Sequence, residues 1–316
     1  MKNKKILILG GTGALGKTLT QRYHKDNKII IFSRDEHKHV NMKHTFPNVT
    51  YQIGDVKDRD SILQALTEHT PDVIINTAAL KHVPICEHNP YESVKTNIIG
   101  HRNLIDSISV SNHQIEALMF ISTDKACKPI NVYGMCKAIS ERLYIDFANK
   151  QDKIKVVLCR YGNVLESTGS VIPFFRRLLA AGHNRLPITD ERMTRFSITL
   201  EESVDLIEWA YTHLETHGNI VVPKLPSLKI VDVATELAKA YGVADIDLHH
   251  IGIRPGEKLH EDMVSLEESF RTREYSKYFV ITDHVVNMEG SPLSSDLVVL
   301  PTAEVPSFLK NKGVIK

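Results

Sequence analysis

The stretch "STDKACKPINVYGMCK", residues 122–137, carries ionisable side chains at spacings that suit proton chemistry. Asp124 and Lys125 are adjacent, and Tyr133 precedes Lys137 by four positions. A helix beginning near Tyr133 would place Tyr133 and Lys137 on one face. A tyrosine hydroxyl ordinarily titrates near pH ~10, but a neighbouring ammonium and an oxidised nicotinamide both favour the phenolate. Tyr133 can then act as a base near neutrality while a hydride leaves the adjoining carbon. That redox step leaves Asp124 and Lys125 without work. They are either a second acid and base, or a plain strand-end ion pair.

The surrounding elements must hold these groups in place. Short β-branched runs bounded by turn residues predict strands at 5–9, 28–32, 49–53, 72–76, 117–122 and 155–160. Their near-continuous apolar character implies burial on both faces, as in a parallel sheet. Apolar residues at helical spacing predict helices over 15–25, 59–69, 90–109 and 133–150. This alternation predicts an α/β fold: a Rossmann-like doubly wound parallel sheet, with a ligand at the carboxyl ends of its strands. After Asn163 the alternation lapses, and residues 166–200 and about 225–283 read as a smaller mixed α/β substrate-binding lobe. A helix and strand within 201–223 rejoin the first domain, which is thus 1–165 plus about 201–224; residues 284–316 form a C-terminal tail without legible chemistry.

The loop "LILGGTGALGKTL" sets Gly10, Gly13 and Gly16 directly between a strand and a helix. Gly10 allows a tight turn, Gly13 lets backbone approach a pyrophosphate and Gly16 allows close helix packing. With Thr12, Ala14 and Leu15 they form the candidate dinucleotide loop. The second strand ends in Ser33, Arg34, Asp35 and Glu36. Arg34 can pair with a 2′-phosphate, which favours NADP, while Asp35 and Glu36 keep NAD open. Asp55 and Val56 follow the third strand, suited to the adenine amino group and ring face. Ala78, Ala79 and Lys81 follow the fourth, with small residues where a cofactor would pass closely.

Composition bounds the partners. Thirty-nine Lys and Arg balance 38 Asp and Glu, so no global basic field invites nucleic acid or an anionic membrane. None of the four cysteines forms a CxxC pair, and the 16 histidines show no HExxH spacing, so no metal site is expected. The apolar run before the first glycines is too short for a signal peptide. No run approaches the roughly 18 apolar residues of a membrane span. A cytoplasmic protein acting on a small ligand is the expectation.

The motifs "GGTGALG", "FSRDE", "GDVKD", "AALKHVP", "VKTNIIG", "STDKACKPINVYGMCK", "RYGNV", "GSVIPFF", "PITDERMTRFSIT" and "GIRPGEKLHE" occur together over about residues 5 to 265. With them the sequence resembles the extended short-chain dehydrogenases/reductases, and more narrowly the inverting UDP-N-acetylglucosamine 4,6-dehydratases of the type that starts pseudaminic acid biosynthesis. The resemblance implies a three-part reaction on UDP-GlcNAc with tightly bound NADP regenerated in each cycle. Tyr133, helped by Thr123 and Lys137, would take the proton of the sugar 4-hydroxyl as hydride passes from C4 to NADP. The 4-ketone acidifies the C5 proton, and water can leave across C5 and C6 given a base at C5 and an acid at the 6-hydroxyl. Lys125 is the candidate base and Asp124 the candidate acid, after which hydride returns to C6. Related retaining enzymes carry Asp-Glu in place of Asp-Lys, so Lys125 hints at inversion at C5. To act as a base, Lys125 needs a pKa well below its usual ~10.4.

The resemblance also implies that Lys81, Asn163, Arg195, Arg254, Glu257 and the backbone at Ser170 and Val171 contact the nucleotide sugar. Read alone, each charged member could equally be a surface charge. Where relatives read "SRGSVIP", this chain has Ser167-Thr168-Gly169, so an arginine is missing and Glu166 replaces a small residue. A homo-oligomer, in relatives often a hexamer, is implied too. A UDP-sugar 4-epimerase, a retaining 4,6-dehydratase and a non-catalytic NADP-binding sensor are the competing readings.

Overall fold

The computed structural model describes residues 1–167 and 169–315. The expected departure at Thr168 lies outside them. Six strands form where the apolar runs predicted them: β1 (Lys5–Leu9), β2 (Lys28–Ser33), β3 (Thr50–Ile53), β4 (Val73–Asn76), β5 (Ala117–Ile121) and β6 (Lys155–Cys159). They lie side by side in the order β3-β2-β1-β4-β5-β6, the doubly wound arrangement, and Ile220–Pro223 continues the sheet parallel to β6. Leu7, Ile8, Ile74, Leu118, Met119, Val156 and Leu158 are fully buried. Each such side chain contributes about 1.5–3 kcal/mol of burial, so the pattern that predicted the strands also drives their assembly.

The predicted helices form at Ala14–Tyr23, Arg59–His69 and Val132–Asn149. The span 90–109 becomes two α-helical segments, Pro90–Val94 and Gly100–Val110, around a π-helical stretch at Lys95–Ile99. Asn97 within that stretch accepts the Leu80 amide and donates to the Leu80 carbonyl, each at 2.8 Å, and its own carbonyl accepts the Ser140 hydroxyl. The widened turn thus ties the loop after β4 to the helix that carries Tyr133. The helix Glu36–Thr45 has no amphipathic signature to predict it. Only His39 and Met42 of its residues are buried, and Asp35 caps it by accepting the Lys38 amide at 3.0 Å.

Two boundaries differ from the sequence expectation. Residues 272–281, read as part of the second lobe, supply two antiparallel edge strands of the central sheet, Thr272–Glu274 and Tyr278–Ile281, next to Ile220–Pro223. The segment read as a separate tail is packed into the fold. Val305, Leu309 and Val314 join Ile172, Phe175, Leu186, Leu228 and Leu237 in a second apolar core, distinct from that of the sheet. No helix among the described residues is long and apolar enough to cross a membrane. None of their His, Cys, Asp and Glu side chains group as a metal-binding set of three or more.

Candidate active site

The six strands are parallel, so the loops that follow them leave at one end of the sheet, and the strand order reverses between β1 and β4. Gly10 there has φ +72°, and a Cβ would come within 2.8 Å of the Ala78 backbone. A Cβ at Gly16 would lie 2.3 Å from the Gly11 carbonyl oxygen. The fold itself therefore demands these two glycines. Gly13 differs: its Cβ would meet only the Gly10 carbonyl oxygen, at 3.2 Å, and it caps the helix Ala14–Tyr23 with no side-chain hydrogen bond. The amides at that helix start, with Ala14 and Leu15 as its first residues, are free to receive an anion.

The end of β2 separates the roles expected of its polar residues. Ser33 is buried and committed to protein, bonding Thr12 Oγ1 at 3.0 Å and His39 Nε2 at 2.5 Å. Burial lowers the pKa of His39, which keeps that ring neutral. Asp35 is taken up as the helix cap and pairs with Lys38 at 3.1 Å. Glu36 points to solvent. Arg34 is exposed, and Asp55 stands 3.6 Å from its guanidinium. Asp55 also faces Lys57 at 3.6 Å, and Val56 beside it is buried. Ala78 and Ala79 line the exit of β4, and Lys81 stands exposed beyond them.

The catalytic candidates converge after β5. Thr123 Oγ1 donates to Asp124 Oδ1 at 2.9 Å, and Lys125 Nζ donates to the same oxygen at 3.0 Å. Asp124 is fully buried, yet its Oδ2 has no partner among the described residues. A buried carboxylate oxygen left free costs several kcal/mol unless something else meets it. Tyr133 is buried beside these groups. Burial drives its hydroxyl pKa up to about 12, opposed by the Lys125 charge and by the neighbouring Thr123 hydroxyl. In the ligand-free site the ammonium that favours the phenolate is that of Lys125. Lys137 donates to the Ile121 carbonyl at 2.5 Å and lies 4.1 Å above the Phe120 ring. Burial pulls its pKa down to about 7, with Glu141 offsetting part of the effect.

Local sequence explains how this loop is held. Gly134 follows the tyrosine because a Cβ there would stand 2.2 Å from the Lys125 carbonyl oxygen. Asn131 caps the Tyr133 helix by accepting the Gly134 amide at 2.7 Å, and its Nδ2 donates to the Gly256 carbonyl at 2.8 Å. One residue so joins the catalytic helix to the 252–258 segment. Behind the loop, buried Arg160 binds Glu141 at 2.7 Å and Glu268 at 2.8 Å. Ser122 donates to Glu141 at 2.5 Å and Cys127 to Glu268 at 3.4 Å, so the ion triad grips both ends of the loop. Burial alone would raise the Glu268 carboxyl, but Arg160 outweighs it and holds the group at about 2.

The residues expected to bind substrate divide into two sets. Asn163 reaches the catalytic cluster, its Oδ1 3.4 Å from Lys125 Nζ. Val171 begins the helix Val171–Ala180, capped by Ser170, whose buried hydroxyl has no partner among the described residues. Arg195 is 7% exposed and donates to the carbonyls of Thr194, Leu259 and Lys258 at 2.7–3.0 Å, so it fixes the segment around 258 instead of projecting freely. Arg254 and Glu257 bind one another through two contacts of 3.1 and 2.8 Å, and this partner lowers the Glu257 pKa against the opposing effect of burial.

Sequence reasoning assigned no role to Glu261, the last residue of "GIRPGEKLHE". It is 2% exposed, with Oε1 3.3 Å from Lys125 Nζ. Burial opposes the Lys125 charge, but Asp124 and Glu261 together outweigh it and raise the lysine pKa above its ordinary value. In the ligand-free site Lys125 is therefore held as an ammonium, the reverse of the form that the expected base requires. The only signal in the sequence was an acid at the end of a long motif. Its meaning depends on the chain returning to the catalytic loop from more than a hundred residues away.

Comparison with known proteins agrees over most of this length. A family model described as polysaccharide biosynthesis protein matches residues 6–283. A UDP-N-acetylglucosamine 4,6-dehydratase (inverting) of Campylobacter jejuni is 45% identical over 297 residues, covering 90% of this chain and 85% of that protein. A UDP-glucose 4-epimerase of Rickettsia felis is 38% identical over 289 residues, covering 88% and 83%. The X-ray structure of Pen from Bacillus thuringiensis superposes with a TM-score of 0.91 at 28% identity, covering 99% of both chains.

Proposed function

From a chain that belongs to the polysaccharide biosynthesis protein family, we propose a UDP-N-acetylglucosamine 4,6-dehydratase that inverts C5, giving UDP-2-acetamido-2,6-dideoxy-β-L-arabino-hexos-4-ulose. The observation that carries this reading is the buried Asp124–Lys125 pair beside Tyr133, with Asp124 Oδ2 left free. An epimerase would need only the redox pair. Here a second acid and base stand at the same reacting centre, as elimination of water requires. The 45% identity to an inverting dehydratase supports the same choice over the epimerase at 38%.

Each residue then has a stated job. Tyr133 takes the 4-hydroxyl proton, with Thr123 in hydrogen-bond reach of the phenol. Lys125 takes the C5 proton, and Asp124 presents Oδ2 to the departing 6-hydroxyl. The amides after Gly13, the small residues Ala78 and Ala79, and Lys137 hold a nicotinamide cofactor along the strand ends. When bound, NADP supplies the hydride acceptor for C4 and the hydride donor for C6. Arg34 supports the 2′-phosphorylated form, because its guanidinium is exposed while Asp35 is occupied as a helix cap. The Ser170–Val171 helix start with its free hydroxyl, Lys81, Asn163, Arg254 and Glu257 are assigned to the nucleotide sugar, and Arg195 to holding the segment around 258. Exposed Ile99, Met135 and Ile139 on touching helical segments support a homo-oligomer.

Incubation with UDP-GlcNAc and no added reductant tests the reading. Loss of one water from the sugar nucleotide is expected, and an isomer of unchanged mass would make the protein an epimerase.

A further inference from the structure

Lys125 poses a problem that Asp124 alone does not solve. It must meet the C5 hydrogen as a neutral amine, yet it is an ammonium between two carboxylates. To supply the departing hydroxyl, Asp124 must enter the elimination already protonated, and in that state it cannot also take the ammonium proton. The other carboxylate in reach is Glu261, and its setting is unusual for a structural ion pair. Its backbone is clamped on both sides by Ser295, whose Oγ accepts the Glu261 amide at 2.9 Å and whose own amide donates to the Glu261 carbonyl at 2.8 Å. Its side chain is not. Oε1 faces Lys125 at 3.3 Å and Arg195 Nε at 4.0 Å, and Oε2 is buried without a hydrogen-bond partner among the described residues, with Lys258 Nζ 3.8 Å away. A fixed backbone with a free buried oxygen is costly for stability alone. It suits a group that gains a proton during the reaction.

We propose that Glu261 is the proton partner of Lys125: a positioning residue that accepts the ammonium proton so that the amine is free to deprotonate C5. The inference rests on the dehydratase reading. In the transfer an N–H bond of Lys125 breaks and an O–H bond of Glu261 forms. The Lys125 lone pair then takes the C5 proton, the electrons of that C–H bond form the C5–C6 double bond, and the 6-hydroxyl leaves with a proton from Asp124 as water. The Lys125–Glu261 pair has gained one proton and Asp124 has lost one. The proton C5 later regains balances the one Tyr133 took from the 4-hydroxyl, so the cycle sums to zero. The charged and titratable groups around the pair are Asp124 on the loop after β5, Tyr133 on its helix, Arg195 on the strand Thr194–Ile198, and Lys258 on Glu261's own segment, with Asp262 3.9 Å from Lys258.

An internal transfer is independent of bulk pH, whereas a lysine that must lose its proton to solvent gives a rate that climbs with pH. Wild type and Glu261→Gln are compared for product formation and for solvent deuterium entering C5 across the neutral range. Wild type is expected to be nearly flat. Glu261→Gln is expected to rise about tenfold per pH unit and to build up reduced cofactor, because C4 oxidation outruns C5 deprotonation. Glu261→Asp, which keeps the carboxylate, is expected to restore the flat profile at reduced rate. A flat profile in Glu261→Gln overturns the proposal and makes Asp124 the acceptor; equal loss of both half-reactions with an unaltered profile overturns it as well.

A second measurement needs no turnover. In the ligand-free protein, labelled Lys125, assigned by its absence in Lys125→Met, is titrated by NMR in wild type, Glu261→Gln and Glu261→Asp. Lys125 is expected to titrate lower by about one unit or more in Glu261→Gln and to return towards the wild-type value in Glu261→Asp. A Lys125 titration that neither substitution moves overturns the proposal. A wild type that fails to dehydrate UDP-GlcNAc defeats the functional reading, and leaves this titration to stand or fall by itself.

Discussion

Lys125 Nζ reaches 3.0 Å back to Oδ1 of Asp124, the residue before it, while Asp124 Oδ2 stays free in a fully buried position. The pair is thus organised before any substrate arrives, with one oxygen held in reserve. Replacing either member should stop elimination while leaving the cofactor loop intact. Asp124→Asn and Lys125→Ala are expected to lose about 10²–10⁴-fold in turnover and to retain cofactor, measured by product mass and by cofactor fluorescence. Unchanged turnover in either would return the pair to a structural role.

Tyr133 is expected to separate the steps differently. Tyr133→Phe removes the base for the first oxidation, so no reduced cofactor should appear on mixing with UDP-GlcNAc. The absorbance of reduced nicotinamide reads this directly. Its appearance at the wild-type rate would show that another group takes the 4-hydroxyl proton.

Arg34 carries the cofactor preference. An ionic hydrogen bond contributes about 1.5–3 kcal/mol, so Arg34→Ala should weaken NADP by about tenfold to a hundredfold and leave NAD nearly unchanged. Calorimetric titration with both cofactors checks it. Equal weakening of the two would remove the 2′-phosphate from the argument.

Burial lowers Lys137 to about 7 in the ligand-free protein. An anionic cofactor beside it raises that value, so the complex holds a proton that the free protein has lost. Cofactor binding should therefore take up protons above about pH 7 and weaken as pH rises. The calorimetric heat would vary with the ionisation enthalpy of the buffer, and Lys137→Met would abolish the variation. The sign for stability follows as well. The unfolded chain keeps this lysine protonated up to ~10.4, so the ligand-free fold loses stability as pH falls from there to about 7 and loses nothing further below.

The Arg160 triad should behave oppositely in acid. With Glu268 depressed to about 2, its contribution is complete above the unfolded value of ~4.3 and disappears as pH falls through about 2. Arg160→Met strands two buried carboxylates and should cost about 3–5 kcal/mol at neutral pH. The deficit relative to wild type should narrow in acid, where those carboxyls protonate. Denaturant unfolding at neutral and acid pH measures it.

The sequence made most of the sheet and the cofactor loop legible, because burial on two faces and a strand-to-helix turn each leave a local pattern. Gly16 is a glycine because of Gly11, five residues before it, whereas Gly10 answers also to the Ala78 backbone at the exit of β4. What stayed hidden depends on distant chain segments meeting. The antiparallel strands at 272–281 look like lobe because each is short, three and four residues, and the first, Thr272–Glu274, is wholly polar. Residues 305–314 pack into the second core although nothing near them signals a partner. Glu261 is the sharpest case. Its chemistry comes from Lys125, and only the folded chain brings the two together. The i,i+4 spacing of Tyr133 and Lys137 places both on one face of the helix Val132–Asn149. It did not reveal that the Ile121 carbonyl, and not the phenol, receives the lysine.

The central claim is that one site oxidises C4 and then removes water across C5 and C6, with the C5 proton exchanged. Conversion of UDP-GlcNAc in deuterium oxide, followed by NMR of the product, tests this most directly. The account predicts a 4-keto-6-deoxy sugar of inverted configuration carrying one deuterium at C5. A product that keeps its 6-hydroxyl, or one with only the original hydrogen at C5, would contradict it.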